Sequence, residues 1–145
     1  MGWIGRITYN NHKKDRAMST SLWCLMITAL IPTVLSGTGG YLRHKELGRA
    51  DNKNPRAQYA QSTGAASRAY AAQQNAWEGL ILFSAALLAA SVAGVAQEKI
   101  AVVSMVFVAA RILHGVFYLA DRDALRSLSY FVALGSVICI FIMGA

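Results

Sequence analysis

The chain has 145 residues, of which 55% are hydrophobic and 14% charged, and its mean hydropathy is +0.38. Soluble domains run at roughly 45–50% apolar and about 25% charged, so this composition excludes an ordinary soluble globular domain and places the chain in lipid. The net charge of +7 invites a nucleic-acid reading, but six of the fourteen Lys and Arg fall between Arg43 and Arg68 with only Tyr59 among them. That pattern fits a positive-inside loop and lacks the interleaved aromatics on which bases stack.

Residues 1–17 carry Arg6, Lys13, Lys14 and Arg16 but no span. A start at Met18 would leave an uncharged lead-in, so residues 1–17 are expected to be an N-terminal extension and 18–145 the membrane domain. The first apolar run shows no small-residue cleavage site and reads as an anchor rather than a signal peptide. Four segments, at about residues 21–41, 79–97, 100–120 and 127–144, approach the roughly 20 residues that a ~30 Å hydrocarbon core requires. The expected fold is an all-α integral membrane bundle of four transmembrane helices.

Span one contains Pro32, where a kink is expected, and small residues at 36–40 that would let another helix approach closely. The loop after it includes Asp51, Asn52, Lys53, Asn54 and Pro55, a turn signal. From Ala65 onward the composition suits a helix, so helix two should begin before the membrane and enter it near Trp77, a residue type of the interfacial aromatic belt. Residues 96–99 form a short turn with one cation and one anion. Residues 121–126 leave room only for a tight turn, with Asp123 placed to cap the fourth helix. The cation asymmetry puts the 43–68 loop in the cytoplasm and both termini outside, as in a bacterial inner-membrane protein; the basic N-terminal tail pulls the other way. Cys24 and Cys139 lie within spans one and four without metal or redox spacing, as small hydrophobes do.

The spans are not uniformly apolar. At 100° per residue, Arg68, Asn75 and Glu78 fall within about 80° of one another on helix two. Arg111, His114, Tyr118 and Arg122 likewise share one face of helix three, and Arg126 and Tyr130 face the same way on helix four with Ser127 adjacent. A charge in hydrocarbon costs roughly 2.5–3.5 kcal/mol on insertion scales, so polar faces on three helices imply a shared cavity. Its mixture of cations, a carboxylate, an amide, hydroxyls and an imidazole suits a small zwitterionic ligand. It does not suit an ion pore, which needs rings of one sign. A purely structural role is the competing explanation: Arg111 and Glu78 neutralise each other across a helix interface, with Asn75 bridging. Paired broken helices or inverted repeats of a transporter are not apparent.

The segment Arg68-Ala-Tyr-Ala-Ala-Gln-Gln-Asn75-Ala-Trp-Glu78, followed by Phe83, resembles the helix-two signature of the membrane-associated proteins in eicosanoid and glutathione metabolism, the MAPEG family. Arg111-Ile-Leu-His114-Gly-Val-Phe-Tyr118 and Arg126-Ser127-Leu-Ser-Tyr130 resemble its later blocks, and the alanine-rich helix two is similar to the prokaryotic branch. The resemblance implies a homotrimer of four-helix protomers, with glutathione as co-substrate bound between protomers near the cytoplasmic face. Arg68, Asn75, Glu78, Arg111, His114, Tyr118 and Tyr130 would then hold glutathione. Arg126 and Ser127 would sit at its thiol, and a lipid-soluble electrophile would arrive through membrane lipid. The chain departs from the eicosanoid-type pattern at Ala71 and Gln74, where basic residues are usual, and Arg43 is a candidate to compensate. Those losses leave a second function open: a non-catalytic accessory subunit of a larger membrane complex that keeps the fold.

Overall fold

The computed structural model describes residues 18–49 and 51–145; the expected extension at 1–17 lies outside the described residues. Helix α1 (Thr20–Leu47) is followed by a short α2 (Pro55–Gln61), then α3 (Gly64–Val92), α4 (Gln97–Leu119) and α5 (Asp123–Gly144). The four long helices are each apolar and long enough to cross a membrane, and the chain is a multi-pass integral membrane protein. At 1.5 Å per residue, the 29 residues of α3 extend about 43 Å against a hydrocarbon core of about 30 Å. The helix is therefore longer than a span requires, and it begins at Gly64, close to the start that the composition from Ala65 onward predicts.

Four of the helix ends have a clear local cause. Ser19 caps α1, its Oγ accepting from the Leu22 N–H at 3.4 Å. Helix α1 runs unbroken through the buried Pro32 and stops at Gly48, whose φ of 74° supplies the left-handed residue that closes a helix. The second span ends earlier than hydropathy predicts. Gly94 (φ 74°) donates to the Ser91 carbonyl and Val95 to that of Ala90, a Schellman closure, and Gln97 opens α4 rather than ending α3. The α4–α5 turn closes in the same pattern, with Asp121 donating to Tyr118 and Arg122 to Phe117, except that the left-handed position is held by Asp121 at φ 58°. Arg122 thus lies beyond α4 as the residue preceding α5, not on the helix face it was expected to share. Asp123 is the first residue of α5; its Oδ1 accepts only from Ala124 N–H at 2.8 Å, so it does not act as the cap.

Helix α1 packs chiefly on α3, and α4 on α5. The α3 face toward its neighbours is mostly alanine, with Ala66, Ala69, Ala72, Ala76, Ala86 and Ala90 all buried. Small side chains let helices approach closely in lipid, where association rests on packing rather than on expulsion of water. Gly39 supplies the matching surface on α1, since a Cβ there would lie 3.4 Å from Ala69 Cβ and 3.2 Å from the Tyr59 hydroxyl. Deeper in the bundle Phe83 and Phe107 stack at 4.1 Å amid Ile100, Val137 and Ile140.

The loop 48–63, the α4–α5 turn and the start of α3 share one end of the bundle, joined by an ion pair of 3.3 Å between Arg68 and Asp121. At the opposite end Ser19 and Ser21 hydrogen-bond to the Gln97 side chain, and Gly144 packs against Ala90 and Ala93. The loop is built rather than slack. Asp51 Oδ1 accepts from Lys53 and Asn54 N–H, and the buried Gln58 ties Arg49 to Asp51. Tyr59 stacks on Tyr70 at 4.6 Å. Arg43 lies 4.1 Å above the Tyr59 ring and donates to the Pro55 carbonyl. That arginine, considered above as a compensating cation for a ligand, is spent on seating α2.

Candidate functional site

The polar residues of α3, α4 and α5 gather toward the loop end of the bundle. Arg111 is buried in α4, two turns before that helix ends. Its Nη2 crosses to α3, where it donates to the Asn75 carbonyl at 2.6 Å and to Asn75 Oδ1 at 2.9 Å. The Asn75 Nδ2 in turn donates to Glu78 Oε2 at 3.1 Å. The amide therefore stands between cation and carboxylate: it accepts from one and donates to the other. Among the described residues the one ion pair is Arg68–Asp121, so Arg111 and Glu78 are coupled through Asn75 rather than in direct contact. The buried guanidinium is held directly by neutral acceptors, with the Glu78 carboxylate as counter-charge one amide away.

Asn75, Glu78, Arg111 and Tyr130 line a narrow groove between α3 and α5, floored by Phe107 and walled by Gly79, Leu82, Ala133, Leu134 and Val137. Its free volume is about 30 Å³, the space of about one water molecule. A tripeptide does not fit inside it. Any such ligand would lie along the outer face of the protomer with Glu78, which is exposed, as one contact.

A second cluster adjoins the first. His114 is buried, with Nδ1 3.0 Å from the Arg126 carbonyl on α5. A carbonyl only accepts, so Nδ1 carries the proton and Nε2 presents a lone pair; Nε2 is buried and has no partner among the described residues. Ser129 Oγ donates to the same carbonyl at 2.8 Å, which pins the first turn of α5. The His114 ring lies 5.4 Å from Tyr118 and 6.2 Å from Tyr130. The Arg126 guanidinium sits 4.5 Å above the Tyr118 ring, where the ring quadrupole favours a cation without neutralising it.

Of the nine residues singled out from sequence, Asn75, Glu78, Arg111 and Tyr130 share the groove, and His114, Tyr118 and Arg126 form the cluster behind Tyr130. Arg68 is engaged with Asp121 at the mouth of the bundle. Ser127 is exposed, one residue beyond Arg126. Sequence reasoning missed two participants. Asp121 was read only as part of a turn, although Arg68, a cation near a span, needed a carboxylate. Gly79 was read as a span boundary, although a lone glycine inside a helical pattern often marks close approach of another group.

The family model described as the MAPEG family matches residues 20–145, which include all five helices. No curated protein and no solved structure matches the chain.

Proposed function

The chain belongs to the MAPEG family, and on that premise we propose that it joins the thiolate of glutathione to lipid-soluble electrophiles, or reduces lipid-soluble peroxides with it. The observation that carries the reading is the Arg111–Asn75–Glu78 relay opening onto the α3–α5 groove beside Tyr130. A zwitterionic tripeptide needs a cation for a carboxylate, a carboxylate for its ammonium and an amide or hydroxyl for its peptide groups. Arg111, Glu78, Asn75 and Tyr130 supply that set on adjoining surfaces, with Arg68, His114 and Tyr118 extending it toward the interface.

Arg126 activates the sulfur. A thiol has an ordinary pKa of about 8.5, and a nearby cation lowers it by favouring the thiolate. Arginine suits the task because it stays charged at any working pH. The Tyr118 ring holds the Arg126 guanidinium without a carboxylate, leaving its charge for the sulfur, and the Ser127 hydroxyl donates a further hydrogen bond. The thiol proton leaves to interfacial water. The thiolate then attacks the electrophilic carbon, forming the C–S bond as the leaving group departs or the acceptor takes up a proton.

The groove within one protomer is too small for glutathione, which supports a homotrimer in which a neighbouring protomer closes the site. The loop end carries Lys45, Arg49, Lys53, Arg56, Arg122 and Arg126, whereas the described opposite end has Lys99 alone among Lys and Arg. This favours a cytoplasmic loop end, with glutathione reaching the site from the cytoplasm of a bacterial cell and the electrophile arriving laterally. Calorimetry of the detergent-purified protein tests the reading. Saturable heat with glutathione supports it. No heat at millimolar glutathione would shift the assignment to an accessory subunit of a larger complex.

A further inference from the structure

We infer that Gly79 is a positioning residue for Arg111: it is the notch in α3 that lets the guanidinium reach the site wall. The glycine is buried in the interior of a long helix, where it is a poorer helix former than alanine, and it makes no turn. An ideal Cβ built there would lie 2.7 Å from Arg111 Nε, 2.8 Å from Cζ and 3.1 Å from Nη2. The first two are shorter than real Cβ contacts and the third is unusually tight. The guanidinium is the free end of a flexible side chain, so it can move aside, and what that move costs is its hold on Asn75.

The position follows from helix geometry. The carbonyl that receives the Gly79 N–H in the α-helical ladder is that of Asn75, four residues earlier. This is the carbonyl that also accepts from Arg111 Nη2 at 2.6 Å. A side chain at position 79 would project back toward the preceding turn and cover that oxygen. With no side chain there, the second lone pair of the Asn75 carbonyl is open to α4, and Arg111 lies flat against the α3 backbone. From that seat it also holds Asn75 Oδ1, which turns the amide so that Nδ2 faces Glu78. One missing methyl group thus fixes the orientation of a cation, an amide and a carboxylate.

The consequence for ligand binding rests on the proposed glutathione function; the seating of Arg111 does not. In Gly79→Ala the guanidinium must leave the Asn75 carbonyl, giving up hydrogen bonds to a charged group. We expect glutathione Kd and KM to rise about tenfold with kcat of the folded trimer little changed, whereas simple loss of folded protein would lower kcat and leave KM alone. Arginine-labelled protein should give resolved, slowly rotating Nη signals for Arg111 in the wild type and averaged ones in Gly79→Ala. Thermal melting supplies a sign test: Gly79→Ala should lower the midpoint in the wild-type background and raise it in Arg111→Ala, where alanine is only a better helix former.

Unchanged Arg111 signals and the same sign of melting shift in both backgrounds would overturn the assignment. Should Arg111→Ala fail to fold, the labelled arginine signals decide alone. If the wild type binds no glutathione, the functional reading falls, while the arginine signals and melting still decide the role of Gly79.

Discussion

Toward the Gly94 turn, α3, α4 and α5 meet through Phe83, Ile100, Phe107 and Ile140, each at most 1% exposed. Toward the Asp121 turn the same three helices meet through Asn75, Arg111, His114 and Tyr130. The first contact is buried and apolar, with Phe83 stacked on Phe107. The second is also buried, with Arg111 and His114 at most 4% exposed, but it leaves His114 Nε2 without a partner among the described residues and holds a cation on neutral acceptors. In membrane proteins interhelical hydrogen bonds average only about 0.6 kcal/mol, so the polar contacts return little stability for the charge they bury. The proposed return is ligand binding and chemistry.

If the two ends divide the work, substitutions should separate stability from binding. The largest stability effect is expected at the apolar end. Phe83→Ala removes a stacked ring and should cost about 3 kcal/mol, read as a lower thermal midpoint, while the protein that remains folded binds glutathione as before. At the polar end Arg126→Ala should lower the conjugation rate about 100-fold, equivalent to about 2.7 kcal/mol of barrier. Its melting should change by only about 1 kcal/mol, the scale of a half-buried cation–π contact. A large melting shift in Arg126→Ala with normal turnover would erase the distinction between the ends.

The turn that joins α4 to α5 sharpens it. Asp121 pairs with Arg68 but is 74% exposed, and such pairs are worth about 0–1 kcal/mol; its left-handed backbone costs roughly 1–2 kcal/mol without a glycine. Asp121→Gly should therefore leave stability within about 1 kcal/mol of the wild type, since strain relief offsets the lost pair, whereas Asp121→Ala keeps the strain and loses the pair, lowering the midpoint. Any change in glutathione KM common to both would trace to Arg68.

The smallest expected effect is in the loop. Backbone N–H groups of Asn54 and then Lys53 hold the Asp51 carboxyl below its ordinary value. Its contribution to loop order is complete above that ordinary value, about 3.9, and is lost only as pH falls through the lower folded value. Hydrogen exchange at Lys53 and Asn54 should accelerate in that acidic window while the helices keep their protection.

The four spans and the polar faces were legible because hydropathy and the 100° period act residue by residue. Asn75, Glu78, Arg111 and Tyr130 could be gathered from their spacing, and the early start of α3 from composition. What escaped depends on single backbone states or on tertiary partners. Hydropathy does not register that Gly94 turns left-handed, so span two was drawn past its end. The same blindness put Arg122 on α4, because the closure at Asp121 is made by a residue that rarely adopts that conformation. Helix α2 has seven residues, too few for a periodic signal, and is held by Arg43, Gln58 and Tyr59 rather than by its own propensity. The sequence pattern placed Asn75 as a bridge between Arg111 and Glu78, and the structure has that bridge. What the pattern could not give is the bond from Arg111 to the Asn75 backbone carbonyl, which depends on the open backbone at Gly79.

The most direct measurement is the titration of bound glutathione, followed by thiolate ultraviolet absorbance, in the wild type and in Arg126→Ala. The wild type should show the bound thiol ionising below the ordinary value of about 8.5, and Arg126→Ala should return it toward that value while still binding the tripeptide through the Arg111 end. Titration at the same pH in both proteins would contradict the assignment of Arg126 to the sulfur and leave the polar end as structural.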